Sequence, residues 1–278
     1  MSKGFLVLAQ NSEGIDYVRQ AYALALSIKA TQSEHASISL VTNDPVPEHY
    51  SSVFDNIIPI PWKDHAADSA WKVENRWKFI HITPYDETIV LDSDILLLDD
   101  MSKKWELLSK QDLFFVSDVT DYRGRVVSNE PNRQVFVSNS LPNVYFGLHY
   151  FKKTPAAYQF YKTLEFIVNN WETAYSKLTP KAKQRWVSMD VSAAIALKIT
   201  GLDDIAICPS FNMTFTHMKT NIQGWPTVIA DWVDSADHYF NDNFEIFINQ
   251  YKQKGVLHYV EDKFLTDDLI SLLEKINE

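Results

Sequence analysis

Within residues 1–100, four short apolar segments alternate with segments of a different pattern: Phe5–Ala9, Ile38–Thr42, Ile57–Ile60 and Thr88–Leu91. Between the first two, residues 15–30 carry Val18, Ala21, Leu24, Ala25 and Ile28 at three- and four-residue steps, which is one apolar face of a helix. Asn43-Asp44-Pro45 stops the second apolar run, and Pro84 closes a helical stretch predicted over 71–82. Strands that alternate with helices are joined by crossovers and lie parallel, with helices over the sheet faces. This predicts an α/β fold of the doubly wound kind.

The second half is less regular. Leu113–Val116, Val144–Phe151, Ile205–Cys208 and Gly255–Tyr259 read as strands. Residues 155–171, 179–199 and 265–276 read as helices, the last amphipathic. The polar stretch 118–134, with Arg123, Arg125 and Arg133, reads as a loop or hairpin, an ordered loop or a lid. No internal repeat, low-complexity tract or linker divides the 278 residues, so a single compact unit over 1–278 is expected.

The fourth strand delivers Asp92-Ser93-Asp94 to its carboxyl end, and a second apolar run leaves the pair. Ligands of open α/β sheets bind outside the carboxyl ends of strands, where Gln10-Asn11-Ser12 also falls. Carboxylates at i and i+2 of an extended segment point to one side. Acids that close repel each other unless a cation lies between them. The pair is therefore expected to hold a divalent metal against a phosphate. The competing reading is a solvated acidic turn.

Composition removes other classes. With 26 Lys and Arg against 36 Asp and Glu, the formal charge of −10 disfavours nucleic acid and anionic membranes as partners. It leaves room for a phosphate ligand, because a bound cation inverts the local field. Only 7 glycines argue against a glycine-rich phosphate loop. One cysteine, Cys208, excludes an intrachain disulfide and a cysteine-rich metal site. The N-terminal apolar stretch is too short for a signal peptide, so a cytoplasmic setting is expected. No apolar run approaches the ~18 residues of a membrane span. Trp62, Trp71, Trp77, Trp186, Trp225 and Trp232 are expected mostly in the core, with one or two free to form an apolar platform for a sugar ring.

The ordered set of features resembles the GT-A fold glycosyltransferases, and within them family 8 and the glycogenin-like proteins, over residues 4–264. The residues that carry it are Leu8-Ala9-Gln10-Asn11 after the first strand, Tyr17 at the head of the first helix, and Lys78 in Arg76-Trp77-Lys78-Phe79. Asp92 and Asp94 follow, then His258 in Gly-Val-Leu-His-Tyr-Val-Glu-Asp-Lys, with Lys263 after it. The resemblance implies a Rossmann-like mixed sheet flanked by helices. It also implies transfer of a sugar, with retention, from a nucleoside diphosphate sugar of the UDP type to a hydroxyl acceptor. Residues 1–117 would then be the nucleotide-binding half and 118–278 the acceptor-side half. Asp92, Asp94 and His258 would hold the metal, and the imidazole shifts preference from Mg²⁺ toward Mn²⁺. Ala9, Gln10, Asn11, Tyr17, Lys78, Ser93 and Lys263, with Asp92, would line the donor site. Asp190 would touch the sugar or acceptor during transfer.

Departures are specific. Tyr145-Phe146-Gly147 stands where the family has Asn-x-Gly, and Asp190-Val191 where it has Asp-Gln. Between His258 and Lys263 there is no glycine, and Phe264-Leu265 replaces Pro-Trp. Each residue also has a plainer role: Tyr17 as helix-start packing, Lys78 as a solvated helix lysine, His258 as a strand histidine, Asp190 as a dipole-favoured helix acid. Two other functions stay open. A haloacid-dehalogenase-type phosphohydrolase also uses Asp-x-Asp, usually on its first strand, and a binding module could keep the nucleotide without transfer.

Overall fold

The computed structural model describes residues 1–34, 36–69, 71–127, 133–180, 186–207, 213–219 and 231–278. Twelve strands follow in chain order among them: β1 Lys3–Leu8, β2 Ile38–Val41, β3 Asn56–Ile58, β4 Glu87–Asp92, β5 Ile95–Leu97, β6 Leu113–Val116, β7 Tyr145–Lys152, β8 Phe215–His217, β9 His238–Phe240, β10 Ile246–Ile248, β11 Tyr251–Lys252 and β12 Val256–His258. Six of them form the main sheet in the order β3-β2-β1-β4-β7-β6. β3, β2, β1 and β4 are parallel, and β7 runs antiparallel to both β4 and β6. The expected mixed α/β sheet is thus present.

The continuous apolar runs reflect burial on both faces of the sheet. Phe5 and Val7 of β1 pack into one layer with the helix Tyr17–Thr31 and the C-terminal helix Asp267–Asn277. Leu6 and Leu8 pack into the other, with the helices Pro155–Asn169 and Met189–Thr200. Side chains cap these helices: Asp16, Thr154, Ser188 and Thr266 each accept from a backbone N–H of the first turn. Gly201, at φ 67°, ends Met189–Thr200 in the left-handed conformation that favours glycine.

β5 leaves the main sheet directly after the acidic pair. It pairs antiparallel with β12, which pairs parallel with β8. β9, β10 and β11 make a small antiparallel sheet that the sequence reading passed over. Other expectations are corrected. The helix over 71–82 is confined to a 3₁₀ turn, Arg76–Lys78, and one α-turn, Phe79–Ile82. The strand read at Ile205–Cys208 gives way to a helical turn, Asp203–Ala206, with Cys208 outside the described residues. The helix read at 179–199 starts at Met189, and 181–185 lie outside the described residues. In segment 118–134, Thr120 bridges Val126 and Asp121 Oδ1 accepts from the N–H groups of Arg123 and Arg125, which makes a tight turn; 128–132 lie outside the described residues. Trp77 and Trp232 are core, but Trp62, Trp71 and Trp186 are exposed. Trp225 lies outside the described residues. Among the described residues no helix is long and apolar enough to cross a membrane.

Candidate active site

The acidic pair lies where the two sheets meet. Asp92 ends β4 in register with Leu8 of β1, and Ile95 opens β5 in register with His258 of β12. Ser93 and Asp94 form the turn between them, so the carboxylates converge through a turn rather than along one extended strand as expected. Asp94 Oδ2 is 2.9 Å from His258 Nε2, and Asp92 Oδ1 is 2.7 Å from Arg76 Nη1. One ligand atom from each of Asp92, Asp94 and His258 lies within 4.8 Å of the others, the one such group among the described residues.

The electrostatics of the pair are set by proximity. Burial opposes charge on both Asp94 and His258, yet each stabilises the other's ionised form. Asp94 is held below the usual carboxylate range and His258 above the usual imidazole range. His217, beside His258 at 4.6 Å between ring centroids, is pushed well down by burial and by His258, and stays neutral. The donor set fits a divalent cation: two carboxylates and one imidazole already converge. Arg76 faces Asp92 and the His258 imidazole faces Asp94.

Tyr17 joins this group. Its hydroxyl is raised by burial and then by Asp94, with Ser12 as a hydrogen-bond partner. Ser93 is buried between the aspartates. Ala9, Gln10 and Asn11 follow β1 at the same sheet edge. Ala9 N–H donates to Val41 O, while Asn11 accepts from Val18 N–H and donates its own N–H to Asp44.

Three expected residues serve other partners. Lys78 is fully buried, and its ammonium donates to Pro61 O, Lys63 O and Asn75 Oδ1 at 3.0, 2.6 and 2.8 Å. Three acceptors use up its three protons, so none is left for a phosphate. Gln10 belongs to the same network, bonded at both ends of its amide to Asp64 and Asn75. Lys263 is partly exposed and paired with Asp231 at 2.7 Å and with Asp234.

Asp190 sits in the first turn of its helix, where the dipole favours an acid. Its Oδ1 accepts from Phe146 N–H at 2.8 Å and its Oδ2 from Arg133 at 2.6 Å. Arg133 is nearly buried between the rings of Tyr145 and Phe136, and also donates to Asn143 Oδ1 and Val144 O. Asp190 is thereby tied to the start of β7, next to Gly147, which leaves room for the Asp92 carboxylate.

The sequence reading missed Arg76, which stands two residues before the lysine it favoured. Gly147 and Arg133 carry no local sequence signal of the carboxylates they lie against.

No family model matches the chain, and comparison with curated proteins finds no match. Among solved structures, galactosyltransferase LgtC, in complex with donor and acceptor sugar analogues, is similar at TM-score 0.54 and 12% identity over 98% of this chain and 95% of LgtC. The bifunctional glycosyltransferase WbbM gives TM-score 0.49 at 13% identity, over 98% of this chain and 50% of WbbM. The glycosyltransferase GlyE of Streptococcus pneumoniae gives 0.44 at 15% identity over 76% of this chain; the match takes in 46% of GlyE, about half its length. The end-to-end likeness to LgtC identifies the architecture as that of the GT-A glycosyltransferases.

Proposed function

We propose that this protein is a metal-dependent glycosyltransferase that moves a sugar from a nucleoside diphosphate sugar, of the UDP type, to a hydroxyl acceptor, with retention. The observation that carries the reading is the convergence of Asp92, Asp94 and His258 at the carboxyl edge of β4 in a GT-A fold. Such an edge is where open α/β sheets take their ligands. Asp92, Asp94 and His258 would hold Mn²⁺ or Mg²⁺, which when bound neutralises charge on the departing nucleoside diphosphate.

The remaining work falls to the chain. Arg76 brings a fixed positive charge to the same point through its contact with Asp92. Tyr17, its proton held by burial and by Asp94, stays a neutral donor and a flat face for base or ribose. Ala9, Asn11 and Ser93 line the donor side along the sheet edge. Asp190, fixed by Arg133 and Phe146, faces the sugar or acceptor. Residues 1–117 make the nucleotide-binding half and 118–278 the acceptor-side half. The setting is cytoplasmic, a reading supported by the single cysteine.

Thermal-shift titration with UDP and MnCl₂, followed by a turnover assay on a panel of nucleotide sugars, tests the reading. A stabilisation that needs both UDP and metal is expected, together with slow release of UDP from one donor. No response to any nucleoside diphosphate would end it. A second reading, a binding module without transfer, is favoured by one observation: both Asp190 carboxylate oxygens are already engaged. Metal-dependent nucleotide binding with no turnover of any donor would select it. The phosphohydrolase reading has no counterpart at the end of β1, where Ala9 and Gln10 follow the strand.

A further inference from the structure

Trp71 and Trp186 come from segments more than a hundred residues apart and meet at the surface. Their ring centroids are 6.2 Å apart with the planes tilted by 40°. They are 60% and 51% exposed, although tryptophan is among the side chains with most to gain from burial. Each is joined to a residue of the candidate active site by a short stretch of its own chain. Trp71 precedes Arg76, the partner of Asp92, by five residues, so the two lie within about 17 Å. Trp186 precedes Asp190 by four residues, within about 14 Å. Asp190 in turn is bonded to Phe146, the neighbour of Gly147, which lies against Asp92. Two chain segments linked to the centre thus end in one exposed aromatic pair.

Trp62, also exposed, differs. It stacks on Trp77 at 6.0 Å and meets His81 edge-on at 5.5 Å, so its ring is part of another aromatic cluster.

We propose that Trp71 and Trp186 form a platform for a pyranose ring of the acceptor, so that the acceptor is a saccharide rather than a protein side chain or an aliphatic alcohol. The proposal rests on the glycosyltransferase reading and deepens it. Two tilted indoles offer apolar faces to the C–H side of a sugar ring and leave its hydroxyls to water. The two chain segments keep the platform within about 14 Å of Asp190, a span that an oligosaccharide bridges. There it would hold the body of an oligosaccharide while a terminal hydroxyl reaches the donor.

The test is saturation-transfer NMR on the intact protein with lactose, maltose and cellobiose as probes and glycerol as the open-chain control, in the presence of UDP and Mn²⁺. Wild type is expected to transfer saturation to the ring C–H protons of at least one disaccharide and not to glycerol. W71A and W186A are each expected to weaken that disaccharide by about tenfold, with W71F and W186F in between. UDP-dependent thermal stabilisation stays as in wild type in all four, which also verifies folding. W62A is expected to bind like wild type.

Absence of saturation transfer to every disaccharide, undiminished binding in both alanine variants, or equal loss in W62A would overturn the platform. Each of these is separable from the parent reading, which fails instead on loss of the wild-type response to UDP and Mn²⁺. Disaccharide binding that depends on the pair without any nucleotide response would support the platform and remove only the donor assignment.

Discussion

Gly147 and Asp92 leave no space between them: a methyl group at 147 would lie 2.8 Å from Asp92 Oδ2 and 3.3 Å from its Cγ. The colliding atoms are the free end of a side chain, so the backbone of β7 need not move. Gly147→Ala is therefore expected to cost little stability, about 1 kcal/mol or less, and to push the carboxylate off its position. Metal-dependent UDP binding should fall by about tenfold or more, read by calorimetry, while the urea midpoint stays near wild type. A variant that binds UDP and Mn²⁺ normally would remove Asp92 from the site.

Removal of a donor atom should be harsher. Asp94→Ala takes away one of two carboxylates and leaves His258 without its partner at 2.9 Å. Loss of the Mn²⁺-dependent part of UDP binding by more than about a hundredfold is expected, with the far-UV spectrum unchanged. Chelation of wild type should reproduce that loss, and added Mn²⁺ should reverse it only in wild type.

Lys78 calls for the opposite outcome. Replacement by Met removes an ammonium that serves Pro61 O, Lys63 O and Asn75 Oδ1, and strands those acceptors in the interior. A loss of about 3 kcal/mol in urea unfolding is expected. UDP affinity, measured where the variant remains folded, should change less than about threefold. A large loss of affinity without a loss of stability would return Lys78 to the phosphate.

Acid sensitivity has a defined source in β7. His149 is fully buried, bonded to Phe146 O and the Tyr161 hydroxyl, and burial pushes it down to about 3. The unfolded chain takes up a proton near pH 6.5 while the folded chain refuses it, so stability is full above pH 6.5 and falls as pH drops from there toward 3. This one group removes about 3 kcal/mol between pH 6.5 and pH 4. His149→Gln should be less stable at pH 7 and show a flatter dependence over that interval, measured by chemical unfolding at each pH.

Elements with a strong local signature were legible in the sequence. β1, β2, β4, β6 and β7 fall within a residue or two of their apolar runs, because strands buried on both faces are apolar at most positions. The Asp92–Asp94 pair was visible as a motif, and His258 through the order of features around it. Direction was not visible. Arg76 and Lys78 share one 3₁₀ turn, about 120° per residue, so two positions separate a side chain on Asp92 from one sealed among carbonyls. β9, β10 and β11 are two or three residues long, too short for any period to register. The role of Gly147 exists only across strands, and that of Arg133 only once Tyr145, Phe136 and Asp190 surround it.

β12 takes its place against β5 in register with Ile95, and so carries the imidazole back to a turn laid down far earlier in the chain. Two of the three proposed ligands therefore come from one tight turn, while the third is delivered by strand pairing alone. Any change that frays the β5–β12 ladder would pull the imidazole away and leave the two acids facing each other.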